Sequence, residues 1–156
     1  MSNQRLKEYL VDQLVSLEEI RSELINAYYP VLGRTRERIL IEKLMERYIR
    51  KVEHLVTEID NEQPFEPTSV LIGSTVTVRY ASSERLEEFT ICFPDEVDPD
   101  NGLISFISPL GQHLLLSPKH GTITLNTPDG ESKVFVQDIA LHLKPRAGMK
   151  KEGTKG

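Results

Sequence analysis

The densest group of chemically capable side chains in this sequence is Tyr28, Tyr29, Arg34, Arg36 and Glu37. The planar fork of arginine suits phosphate or carboxylate. A tyrosine ring offers a face on which a nucleobase can stack. Together they fit RNA, a nucleoside triphosphate or an acidic protein wall. An equal alternative is that the tyrosines only close the end of a helical hairpin while the arginines are solvated. No acid lies between Asn26 and Arg36, so Glu37, flanked by Arg36 and Arg38, is the carboxylate at hand. A second candidate is Ser108-Pro109-Leu110. It reads equally as a surface turn for a partner and as an ordinary helix start, with a serine cap and proline in the first turn.

Other chemistry is poorly supported. Asp95, Glu96, Asp98 and Asp100 precede Gly102, but a calcium loop with glycine there would put Val97, Pro99 and Ser108 at ligand positions. His54, His113, His120 and His142 lack close metal-ligand spacing. Cys92, the single cysteine, lies in an apolar strand and reads as core. It has no disulfide partner, which suits a reducing, cytoplasmic setting. No phosphate loop or nucleophile elbow occurs. No metal and no cofactor are expected, and no apolar run spans a membrane.

The elements that must carry the candidate residues follow from periodicity. Leu6, Leu10, Leu14, Leu17, Ile20 and Leu24 recur at steps of three and four, as do Ile41, Leu44, Tyr48, Val52, Leu55 and Ile59. Both series predict amphipathic helices. Pro30 and Gly33 mark a reversal between them, with Thr35 as a cap. Residues 1–60 therefore read as an antiparallel coiled-coil hairpin, 61–68 as a Pro-containing linker, 69–143 as a small β-rich domain and 144–156 as a disordered basic tail. In the β-rich part the period changes to two, at Val76-Val78-Tyr80 and Phe89-Ile91-Phe93. Pro128-Asp129-Gly130 signals a hairpin. The fold class is α+β: two long helices, then one antiparallel sheet with one short helix.

Net charge is −5, unevenly spread. Residues 61–143 hold 4 Lys/Arg against 12 Asp/Glu, whereas 144–156 hold 5 against 1. The acidic block should repel nucleic acid and suit a basic protein surface.

Three segments in order carry a family resemblance: Val70-Leu71-Ile72-Gly73-Ser74-Thr75-Val76-Thr77-Val78, Leu103-Ile104-Ser105-Phe106-Ile107-Ser108-Pro109-Leu110-Gly111, and Asn126-Thr127-Pro128-Asp129-Gly130-Glu131. They resemble the C-terminal domain of the Gre transcript-cleavage factors, over about residues 5–143. The resemblance implies an FKBP-like second domain that grips the rim of the bacterial RNA polymerase secondary channel through Ser108, Pro109 and Leu110. It implies a hairpin reaching into that channel, indirect contact with RNA or nucleotide at the active centre, and tip acids that help hold a metal ion for RNA cleavage.

The tip departs from that pattern. The family reads Gly-Asp-Leu-x-Glu-Asn-x-Glu-Tyr. From Gly33, the glycine matches and the first acid falls on Arg34. The second acid matches Glu37, and the third falls on Leu40. A unit-charge pair at about 4 Å and an effective dielectric near 20 is worth roughly 4 kcal/mol, so reversing one sign weakens metal binding severely. The docking turn differs too, with Ile107 where an acid often precedes the serine. The leading expectation is a monomeric, non-catalytic polymerase-binding regulator without efficient cleavage stimulation. The alternatives are an active cleavage factor using Glu37 with Glu42, a peptidyl-prolyl isomerase, and a dimeric interaction module indifferent to polymerase.

Overall fold

The computed structural model describes residues 3–28, 36–59 and 62–143. The chain divides into two compact units, Met1–Phe65 and Glu66–Gly156. The tail expected beyond residue 143 lies outside the described residues, as does Thr35.

The first unit holds α1 (Asn3–Tyr28) and α2 (Arg36–Glu58). At 1.5 Å per residue they run about 39 and 35 Å. They pack antiparallel. Asn3 Nδ2 donates to the Gln63 carbonyl at 2.6 Å, the Tyr48 hydroxyl donates to Gln13 Oε1, and Arg21 meets Glu46 at 3.3 Å. Leu6, Leu10 and Leu17 are buried on α1, and Ile41, Leu44, Met45, Tyr48, Ile49 and Val52 on α2.

Among the described residues, the seam departs from the expected leucine stripe at Leu14. Leu14 is only half-buried, while Gln13 and Ser16 are buried. A left-handed coiled coil requires alternating steps of three and four. Asn3, Leu6, Leu10, Gln13 and Leu17 obey that rule on α1, as Ile41, Met45, Tyr48 and Val52 do on α2. Leu14 sits one residue off the seam. A polar pair, Gln13 with Tyr48, therefore occupies a core layer, and it satisfies itself by hydrogen bonding.

The second unit is one curled five-stranded sheet. Its strands are β1 (Ser74–Tyr80), β2 (Leu86–Cys92), β3 (Leu103–Ser105), β4 (Thr122–Thr127) and β5 (Gly130–Leu141), in spatial order β3-β2-β1-β5-β4. Helix α3 (Pro109–Leu114) lies between β3 and β4 in sequence. The fold class is as expected, with one difference: β3 pairs parallel with β2, so the sheet is mixed. Two short 3-10 turns, Pro94–Glu96 and Pro99–Asn101, carry the chain back to make that possible. Gly102, at φ 75°, closes the second turn, and its N–H reaches the Pro99 carbonyl.

One face of the sheet is apolar. Val76, Val78, Ile91, Ile123, Val134, Val136 and Ile139 are buried there, with Phe93 and Phe106 in edge-to-face contact at 5.8 Å. A bulge keeps β5 in phase. Thr77 faces Asp138 but Val78 faces Val136, so Gln137 is an extra residue, and Ile139 returns to the core side. Cys92 is buried, its sulfur near the Ile104 carbonyl at 3.3 Å. Burial, reinforced by Glu96 and Asp95, pushes its thiol up to about 12.

Replacing Tyr48 by Phe should lower the unfolding free energy by about 1–3 kcal/mol, because a buried hydrogen bond to Gln13 is lost. Urea denaturation followed by circular dichroism checks this, and an unchanged midpoint would contradict it.

Candidate functional site

The residues expected to act at the hairpin reversal are only partly placed. Tyr28 is the last residue of α1. Tyr29 and Arg34 lie outside the described residues. Arg36 and Glu37 open α2 and are both exposed. A carboxylate in the first helical turn is favoured by the partial positive charge of the free N–H groups there. Glu42, the second acid considered with Glu37, is engaged elsewhere: Arg38 Nε sits 3.3 Å from its Oε2, one turn away on the same helix. Glu42 and Arg38, with Arg21, Ser22 and Asn26, line an open polar depression of about 370 Å³. Arg21 in turn pairs across the hairpin with Glu46 at 3.3 Å.

The second candidate is a tightly built turn. Ser108 caps α3 with extended backbone. Its Oγ accepts from the Gly111 N–H at 3.1 Å and donates to the Ser105 carbonyl at 2.7 Å. Ser105 Oγ accepts from the Ile107 N–H at 3.1 Å, and Gln112 Nε2 donates to the Ile107 carbonyl at 2.8 Å. The Phe106 N–H bonds to the Cys92 carbonyl at 3.0 Å, tying the turn to the sheet. This framework presents Ile107, Ser108 and Leu110 half-buried and Pro109 exposed. The Ser108 hydroxyl is spent inside the turn as a helix cap, while Pro109 beside it is exposed.

The turn depends on Gly111, which the sequence marks only as part of a resembling segment and a short helix. A Cβ there would lie 2.0 Å from the Ser105 carbonyl oxygen and 2.9 Å from Ser108 Oγ. Both atoms are held by the hydrogen bonds just described, so neither can easily retreat.

The family model for the C-terminal domain of the GreA/GreB transcription elongation factors matches residues 66–141, a stretch that contains this turn. A transcription elongation factor GreA from Desulfovibrio desulfuricans is 32% identical over 143 residues, covering 90% of this chain and 85% of that protein. The chain belongs to the GreA/GreB family. A GreA from Chloroflexus aggregans is 36% identical over 100 residues, covering 63% of this chain, which spans 64% of the length of that relative. A solved GreA/GreB structure from Nitrosomonas europaea aligns with a TM-score of 0.44 at 27% identity, covering 67% of this chain and 90% of that one. The GreA/GreB match thus takes in the whole second unit up to Leu141, and the Desulfovibrio alignment is long enough to require part of the hairpin as well. Among the described residues, no helix of this family member is long and apolar enough to cross a membrane.

Gly111→Ala should destabilise the second unit by more than 2 kcal/mol, on the order of an overpacked core. Ser108→Ala, which removes both the cap bond from Gly111 and the bond to the Ser105 carbonyl, should cost about 1–2 kcal/mol. Thermal unfolding of the two variants would contradict this account if their midpoints fell in the reverse order.

Proposed function

We propose that this chain binds bacterial RNA polymerase core at the secondary channel and modulates transcription without efficiently stimulating transcript cleavage. The observation that carries the second half is Arg34, which stands where the Gre tip pattern has its first acid. Arg36 beside it is exposed and cationic, and Glu37 is the retained carboxylate. One carboxylate between two arginines is a poor ligand for a divalent cation. The same group suits phosphate and base contacts: Arg34 and Arg36 to phosphate oxygens, Tyr28 and Tyr29 to a base.

The first half rests on family membership and on the capped turn at Ser108, Pro109 and Leu110. That turn offers a rigid, partly apolar surface on an acidic unit, suited to a basic partner surface. No cofactor is needed for this role, and its setting is the cytoplasm. Such a factor acts by occupying the channel and competes there with cleavage-active Gre factors. Glu42 is paired with Arg38, which disfavours the alternative of a Glu37–Glu42 metal site.

The test is a halted, backtracked polymerase complex with radiolabelled RNA. The wild-type chain should leave the cleavage rate near the factor-free value, and Arg34→Asp should raise it by at least about tenfold, one carboxylate's worth of metal affinity. Cleavage by the wild type at the rate of a standard GreA would overturn the proposal.

A further inference from the structure

The two edges of the sheet are treated differently. At the β3 edge the strand is only three residues long, and its outer side is closed by its own chain: the Asp98 N–H bonds to the Leu103 carbonyl at 3.1 Å, and the Leu103 N–H returns to Asp98 at 3.0 Å. At the other edge, β4 runs Thr122-Ile123-Thr124-Leu125-Asn126-Thr127. It has no charge, no proline and no bulge, and its register with β5 is regular from Thr122↔Phe135 to Thr127↔Gly130. Lysine, proline and bulges are the usual devices that keep a free edge from pairing.

The direction of its backbone groups can be read from the neighbours. The Val136 N–H bonds to the Gly121 carbonyl, so Gly121 faces β5. The Lys133 carbonyl instead accepts from the Ala81 N–H on the far side, so its partner Thr124 forms a non-bonded pair with β5. Antiparallel pairs alternate between these two types. Thr122, Thr124 and Asn126 therefore point their N–H and C=O groups away from the sheet, and all three are exposed. Among the described residues, no backbone hydrogen bond beyond the sheet ladder reaches them.

We infer that β4 is an interaction edge that pairs antiparallel with β4 of a second copy, about a two-fold axis at Thr124. The edge is complementary to itself. With Thr124 facing its own counterpart, Thr122 faces Asn126 of the second copy, and every outward donor meets an acceptor. The facing side chains are neutral, so a unit with 4 Lys/Arg against 12 Asp/Glu over residues 61–143 meets its copy where it carries no charge. On the core side, half-buried Leu125 comes beside Ile123 of the second copy. The pairing departs from the monomer that the sequence alone suggests, and it does not depend on polymerase binding.

Cysteine cross-linking reads the axis directly. A bonded antiparallel pair has Cα atoms about 5.5 Å apart, within disulfide range. Two copies of Thr122 or of Asn126 would lie four residues out of register, roughly 13 Å apart. Cys92 is buried with a thiol at about 12, so it should stay silent. Under mild oxidation Thr124→Cys should form a linked dimer at least about tenfold faster than Thr122→Cys or Asn126→Cys. Light scattering on the unaltered chain should show the mass rising with concentration from 17.8 kDa toward twice that, and Thr124→Glu should abolish the rise. A constant monomer mass, or equal cross-linking at the three positions, would overturn the inference.

Discussion

The hairpin hangs on one constraint: apolar residues must alternate at three and four along both helices for their seam to stay closed. Leu6, Leu10 and Leu17 opposite Met45, Tyr48 and Val52 meet it, and the Gln13–Tyr48 pair sits inside it. A buried polar pair adds little net stability, but any shift of one helix along the other would leave both groups without their partner. The pair therefore fixes register. Register also sets how the end of α1 at Tyr28 lies against the start of α2 at Arg36 and Glu37.

The second unit solves a different problem. Its turn at Ser108 is ordered although it lies on the surface. Ser105, Ser108 and Gln112 consume the backbone groups of the turn, and Gly111 allows α3 to start against the Ser105 carbonyl. The result is an ordered apolar surface around Pro109 whose polar groups are already satisfied, so a partner docking there need displace few hydrogen bonds.

Much of this was legible in the sequence, because local rules decided it. Ser108-Pro109 gave the start of α3, and Pro128-Asp129-Gly130 the β4–β5 turn, since both are set by backbone preferences of the residues themselves. What was not legible depended on distant residues. Leu14 outranks Gln13 on hydrophobicity, and only the strict heptad puts Gln13 inside. The parallel pairing of β3 requires the chain to return through Pro94–Asn101, which no short-range pattern announces. The need for glycine at Gly111 comes from the Ser105 carbonyl beside it, which local spacing does not announce. At the reversal, Arg34 was legible only by resemblance, as the cation in an acid's place.

The central claim is that this family member keeps the docking and has lost the metal site. Competition for core polymerase separates those two properties most directly. A fluorescent cleavage-active GreA bound to core polymerase should be displaced by the unlabelled chain in a single saturable step, and Pro109→Glu should weaken that displacement by at least about tenfold, as a charge set into an apolar contact would. Failure of the wild-type chain to displace GreA at any concentration would contradict the account.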